Sequence, residues 1–360
     1  MTGSTVTIYA NNAGNNSGSS VLFVNSGTTS TLNLTDINNN TFLGKNCGNI
    51  SVSGTNNFGA GFGCLAALTS GGSNTGAGIS CLAGLKTGSG NVAYGQQALA
   101  SYTGDNTVGI GLQTLFNLTA SGTGNTACGH ASLTSLVSGS NNTAFGTASG
   151  SAVTGNNNTA VGFQALENSK GDSNTAVGHI AYSGIGTTGS YNLCLGYSAG
   201  LSLTTSDSSN IYLSNNGTPG DNHVMRLGTT GTGPNQVSST FVAGVAGVTV
   251  ASSAAVLINT STGQLGTLVS SARFKENIRD LQVSSSPLNL RPVSFNMIGD
   301  ELELHQVGLI AEEVDKVLPE LVTYDVDGKP YTVKYHELCV HLLLEMQNMA
   351  RRIEDLEKAA

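Results

Sequence analysis

Asn158–Leu166 reads NTAVGFQAL, and sixteen residues later Asn174–Tyr182 reads NTAVGHIAY. The same frame recurs on both sides. The glycine that closes each short apolar stretch falls at Gly44, Gly61, Gly78, Gly95, Gly111, Gly129, Gly146, Gly162, Gly178 and Gly196, at intervals of 16 to 18 residues. Such a period is too short for helical hairpins or propeller blades, whose repeats need about 33 residues or more. Each unit instead reads as a short strand (Ala160 and Val161, Ala144 and Phe145, Ala93 and Tyr94), a glycine, a second apolar stretch and a Ser/Gly/Asn turn. That is one coil of a β-solenoid. No proline precedes Pro219, as backbone NH groups committed to ladders between coils require. At ~4.8 Å per coil the markers span roughly 45 Å.

Composition agrees with a narrow, glycine-rich fold. Of 360 residues 48 are glycine, charged residues are 10%, aromatics 6%, and tryptophan is absent. A core of large side chains is not expected over most of the length, and a conventional metabolic enzyme is disfavoured. With mostly Ala, Val and Gly inside, a coil is expected to bury little apolar surface by itself, so it needs partner chains. Asn, Ser and Thr read as turn residues, including the sequons at Asn117–Thr119 and Asn141–Thr143.

Charge divides the chain near Ser270. Residues 1–269 carry 10 charged side chains and 45 glycines, whereas residues 270–360 carry 26 charges and 3 glycines. Four parts follow: a β-rich segment at 1–39, solenoid repeats at 40–200, a β-rich neck at 201–269 where the period is lost, and a compact domain at 270–360. The net charge of −8 gives no basic surface for a phosphate backbone, so nucleic acid is not an expected partner. The N-terminus shows no signal peptide and no run reaches 18 apolar residues, which predicts synthesis in the cytoplasm and no membrane insertion.

The six cysteines contain no CxxC pair, which removes zinc and thioredoxin readings. Cys47, Cys64 and Cys81 each lie three residues after a marker glycine and should stack. A ladder of small side chains is the expected role. Metal binding or disulfides are the alternative, and three thiols in line from one face suit them poorly. No cofactor or metal is expected; Asp300, Glu301 and Glu303 read as a surface acidic loop without ligand spacing.

The repeat wording NTAVG, NTAFG and NTACG resembles the head repeats of trimeric autotransporter adhesins of the YadA type and similar repeats of viral and phage fibres, over about residues 40–200. The resemblance implies a left-handed parallel β-roll in a homotrimer. From Ser270 the order SSARFKENIRDL, RPVSFNMI, VGLIAEEVDKVLPELV, a hairpin in YDVDGKPYTVKY and a charged helix resembles the C-terminal intramolecular chaperone domain of endosialidase-type tailspikes, a self-cleaving Ser-Lys peptidase family. That family implies a domain which assembles three chains, helps the upstream fibre fold and cuts itself off before the serine of a motif close to Ser-Asp-x-x-x-Lys. Its nucleophile falls on Ser270 and its lysine on Lys275, placing the cut between Val269 and Ser270. Ser271 stands where the family has Asp, and is a competing nucleophile.

Spacing alone would leave Lys275, Glu276 and Arg279 as a solvated helix face. A serine hydroxyl needs a base, and lysine serves only where burial or a neighbouring cation keeps it neutral. His305, His336 and His341 read as structural. In the last helix Tyr335, Cys339, Leu342, Met346, Met349, Ile353 and Leu356 follow a 4, 3 alternation, a heptad seam at which three helices join; packing on its own domain is the alternative.

The fold class is therefore mainly β: a parallel left-handed β-solenoid fibre of trimeric β-roll type, with a C-terminal α+β chaperone domain ending in a coiled-coil helix. The expected function is a homotrimeric fibre on a virion or extracellular surface, freed from its chaperone by one self-cleavage through Ser270 and Lys275. The alternative is a receptor-binding fibre or adhesin, directed at a host-cell receptor or glycan, whose trimerisation domain stays attached. Activity on polysaccharide is disfavoured, because the six acidic residues before Ser270 are scattered singly.

Overall fold

In the computed structural model, the described residues are 23–24, 32–33, 36–229, 236–299 and 303–359, except 50, 120, 185, 205, 244, 246–250, 252, 260, 261 and 326. The chain forms two compact units, Met1–Phe241 and Val242–Ala360. Most of the expected 1–39 segment lies outside the described residues; within it Phe23–Val24 pairs antiparallel with Leu32–Asn33.

The first unit is a β-solenoid of about 11 turns. Twelve three-residue strands, from Thr41–Leu43 to Met225–Leu227, stack in sequence order into one parallel sheet. Register is strict, with Thr159, Ala160 and Val161 opposite Thr143, Ala144 and Phe145 on one side and Thr175, Ala176 and Val177 on the other. The ladder does not end near residue 200 as the lost period suggested. Ile211–Leu213 and Met225–Leu227 add two further parallel strands, although the last step shortens to 14 residues.

The period-2 rule of strands puts the middle residue inside and its two neighbours outside. Ala93, Ala144, Ala160 and Ala176 are accordingly buried, while Tyr94, Phe145 and Val177 point outward and are exposed. The interior is not the small-residue core expected from composition. Two leucine columns fill it, Leu65, Leu82, Leu99, Leu115 and Leu133 four residues after the marker, and Leu68, Leu85, Leu118 and Leu136 seven after, all at most 1% exposed. The first column turns the coil's corner in left-handed backbone, with φ of 49 to 53°. That conformation costs a non-glycine residue about 1–2 kcal/mol, a cost that burial of a leucine offsets.

A second departure concerns asparagine. Asn40, Asn57, Asn74, Asn91, Asn125, Asn142, Asn158, Asn174, Asn192 and Asn210 are buried rather than in solvated turns. Asn158 shows the pattern: its Nδ2 donates to Asn142 Oδ1 (3.1 Å) and to the Gly171 carbonyl (3.0 Å), and its Oδ1 accepts from the Asn174 amide (2.9 Å). The marker glycines are obligatory for two reasons. Gly162 has φ of +129°, and a Cβ there would lie 2.5 Å from the Gly178 carbonyl oxygen.

At its C-terminal end the solenoid closes with a polar group. Asp221 accepts from Arg226 Nε and Nη2 (2.7 Å each), from the Tyr212 hydroxyl (2.9 Å) and from the Thr218 amide (3.0 Å).

The second unit holds a hairpin, Val256–Ile258 with Leu265–Thr267 and Gly263 in left-handed backbone between them, and then the mixed domain. Its core is Val314, Leu318, Leu321, Val322 and Val333, with Val283, Leu290, Leu309 and Leu338 against it. Helix α1 spans Ala311–Val317, the hairpin Val322–Tyr324 with Pro330–Val333 follows, and helix α2 runs Tyr335–Ala359. Gly328, at φ +75°, and Asp325, which accepts from the Asp327 and Lys329 amides, make the hairpin turn.

Candidate active site

The segment that carries the candidate chemistry is one tight turn between two extended stretches. After Leu265–Thr267 the chain runs irregularly through Val269 and Ser270, and Ala272–Phe274 then forms a single 3-10 turn. Ser271 is its N-cap in extended backbone (φ −64°, ψ 137°), with its carbonyl accepting from the Phe274 amide at 3.1 Å. Lys275 closes the turn, its amide donating to the Ala272 carbonyl at 3.1 Å. The turn shortens the path from Ser270 to Lys275 relative to extended chain. The Arg273 guanidinium lies over the Phe274 ring, 4.7 Å from its centroid.

The position at which the family pattern has Asp is thus a cap. Ser and Asp are both favoured at helix N-caps, because either side chain can accept from an amide of the first turn. The Ser271 hydroxyl makes no cap hydrogen bond in this chain. Val269, Ser270, Ser271 and Lys275 are all exposed, as is every residue of 271–282. Among the described residues no hydrogen bond joins the Ser270 hydroxyl to the Lys275 amine. The structure therefore brings the two residues to the ends of one turn without making a dyad in a single chain.

Around this segment the domain is tied by polar contacts. Arg291 clamps Glu313 through Nε and Nη2 and holds its carboxyl below the ordinary range. The Tyr335 hydroxyl, at the start of α2, accepts from the Leu309 amide (2.8 Å), and a Cβ on Gly308 would meet that hydroxyl at 2.7 Å. The glycine of the GLIAEEV stretch is the space through which α2 is anchored. His305 and His336 are exposed, whereas His341 is buried with Nε2 3.5 Å from Glu320 Oε1. Asp300 and Glu301 lie outside the described residues; Glu303 is exposed. Among the described residues no group of three His, Cys, Asp or Glu side chains is placed to hold a metal ion.

The heptad positions of α2 face solvent. Met346 is 67% and Leu356 71% exposed, with Tyr335, Leu342, Met349 and Ile353 also open, and His341 is the helix's buried residue. Sequence reasoning identified that seam but missed a neighbouring groove of ≈ 630 Å³ between Asp280–Val283 and α2, lined in part by Leu281, Val340, Leu343 and Arg351.

The 3-10 turn, the GLIAEEV stretch that leads into α1 and the 25-residue terminal helix follow one another in a fixed order. Residues 270–323 match the peptidase S74 family, the chaperone of endosialidase. The match opens on Ser270 itself and ends within the Val322–Tyr324 strand, so the last strand and α2 lie beyond it. No curated protein and no solved structure matches the chain. A β-solenoid followed by an endosialidase-type chaperone domain makes this a fibre-like protein. Among the described residues no helix is long and apolar enough to cross a membrane.

Proposed function

We propose that this chain is the subunit of a homotrimeric fibre whose C-terminal domain assembles three copies and then releases itself by hydrolysing the Val269–Ser270 bond. The observation that carries the reading is that the family match begins at Ser270, with Lys275 five residues on. The Ser270 hydroxyl attacks the Val269 carbonyl while the Lys275 amine takes its proton and returns it to the departing amide nitrogen. Water then hydrolyses the ester, leaving the Val269 carboxylate and a free Ser270 amine. One turnover consumes the substrate.

Assembly supports the chemistry in this scheme. Lysine becomes a base where burial or a nearby cation favours the neutral amine, and residues 271–282 are exposed in the single chain. Packing of three chains along the open α2 seam would enclose that segment, so cleavage follows trimerisation. The first unit also favours association. Tyr94, Ile110, Phe145 and Val177 on the outer strand positions, and Phe62, Ile79, Leu112, Phe163 and Tyr197 after the marker glycines, leave apolar side chains exposed along the solenoid. A virion or extracellular surface is the setting that suits such a fibre, and a host-cell receptor or glycan is its expected partner.

Intact mass of the freshly folded chain, beside Ser270→Ala and Lys275→Ala, tests the scheme. Two wild-type fragments split between Val269 and Ser270, with both variants whole, are expected. Cleavage that persists in Ser270→Ala and stops in Ser271→Ala would move the nucleophile by one residue. Because Ser271 replaces the family's Asp, a second reading is a receptor-binding fibre with a permanent trimerisation domain; full-length chains in every sample would establish it.

A further inference from the structure

Three cysteines occupy equivalent places on the first three coils. Cys47, Cys64 and Cys81 stand three residues after their markers, where the following coils have Ala98, Thr114, Ser132, Ser149, Ala165, Ala181 and Ala199. The inward strand residue beside them is Gly59 or Gly76, where five of the later coils have Ala93, Ala127, Ala144, Ala160 and Ala176. Those glycines make room for sulfur: a Cβ on Gly76 would lie 2.8 Å from Cys64 Sγ and 3.2 Å from Cys81 Sγ, and one on Gly59 would lie 2.9 Å from Cys47 Sγ. Cys64 and Cys81 are fully buried with their sulfurs 3.0 Å apart, and Cys47, on the outermost coil of the three, is partly exposed.

Backbone hydrogen bonds fix the spacing, Gly48 N to Cys64 O at 2.8 Å and Leu65 N to Cys81 O at 3.1 Å. Neighbouring coils at ~4.8 Å place the Cα atoms inside the ~4.4–6.8 Å window of disulfides. We propose that Cys64 and Cys81 are a redox site which closes to a disulfide stapling adjacent coils, loaded through Cys47 by a small-molecule disulfide.

The exchange balances in three displacements. The Cys47 thiolate attacks the small disulfide and expels one thiol. Cys64 attacks the Cys47 sulfur and expels the second. Cys81 attacks the Cys64 sulfur, and Cys47 leaves as a thiol. Two protein thiols are oxidised and one external disulfide is reduced to two thiols. A stack of three sulfurs suits this sequence, since the attacked sulfur lies between its nucleophile and its leaving group. Cys64 is pushed up to about 12: the hydrogen bond with Cys47 lowers it, and the hydrogen bond with Cys81 and burial more than offset that. Cys47 is raised by its hydrogen bond with Cys64 and by burial. Thiolates are scarce at neutral pH, so the exchange accelerates as pH rises.

The test treats the native full-length protein with oxidised glutathione at pH 8, quenches with acid, alkylates free thiols after unfolding, and digests with chymotrypsin, which cuts after Phe62 and Leu68 and so separates the three cysteines. Expected are linked peptides carrying Cys64 and Cys81, two hydrogens lighter than the reduced pair, with Cys47 alkylated. In Cys47→Ala the same link forms about tenfold more slowly. Alkylated Cys64 and Cys81 in the wild type, or glutathione retained on Cys47, would overturn the site. An unchanged rate in Cys47→Ala would overturn the loading role.

Discussion

At the scale of single residues, the decisive side chain is one that looks dispensable. Asn158 satisfies a carbonyl of its own coil and links the coils on either side. Replacing it with Ala strands the Asn174 amide and the Gly171 carbonyl in a buried site, which costs about 1–3 kcal/mol for each group left unpaired. We expect Asn158→Ala to lower the melting temperature measurably by calorimetry, and Thr154→Ala, at an exposed position four residues earlier, to leave it nearly unchanged. Thr107 is informative as the interruption of the column. Its amide still donates to Asn91 Oδ1 at 3.0 Å, while its hydroxyl meets the Tyr102 hydroxyl, which occupies the place of the missing carboxamide. These roles were hidden in the sequence because Asn is also a favoured residue of solvated turns. What separates Asn158 from Asn157 is backbone: Asn157 stands in left-handed conformation at the bend and is exposed, while Asn158 directly precedes the Thr159–Val161 strand and is buried.

Among elements, the solenoid's C-terminal end and α2 make opposite demands. The end cap is electrostatic: Arg226 beside Asp221, with help from Tyr212 and the Thr218 amide, holds that carboxyl below its ordinary value of 3.8. A depressed folded-state value means that this stabilisation is complete above the unfolded value and is lost as pH falls through the folded one. Melting followed by circular dichroism should therefore weaken below about pH 4, and Asp221→Asn should lower stability at pH 7 while flattening that acid limb. Helix α2 is a demand for company. Met346→Asp is expected to convert the assembled species to monomer in light scattering, whereas Asp355→Ala, off the seam, leaves it assembled; equal behaviour of the two would refute the seam. The strands, the coil period, the hairpin turn at Gly328 and α2 were all legible from periodicity and turn residues. The two leucine columns were equally present, as the CLAAL and CLAGL stretches, yet the glycine count drew attention to small residues. Of the last two coils, the first escaped because Ser214 stands at the marker position, 18 residues after Gly196, and the second because its step contracts to 14 residues.

For the whole molecule, the proposed self-release raises the question of what a fibre would gain from a C-terminal domain that leaves it. Strand edges of glycine-rich coils can pair out of register, and long-range registration is slow. A C-terminal assembly point raises the effective concentration of the other chains before winding begins. After unfolding in guanidinium and dilution, residues 1–269 alone should fail to regain the soluble assembled form, and uncleaved Ser270→Ala should regain it. Recovery of both to the same extent would leave the domain no part in folding. The site itself was only half legible: the motif placed Ser270 and Lys275, but spacing read Lys275, Glu276 and Arg279 as a helix face where the chain makes a single 3-10 turn at Ala272–Phe274 and no helix from Lys275 to Arg279, and the enclosure a base needs is left to the proposed assembly. One further property belongs to the strict register of the coils. Excision of residues 143–158 would set Thr159 on Thr126 and Ala160 on Ala127, with asparagine still above asparagine and glycine above glycine. Length in this protein is thus a heritable quantity counted in whole coils of ~4.8 Å, open to lengthening or shortening by unequal crossing-over without any residue having to change its neighbours' kind.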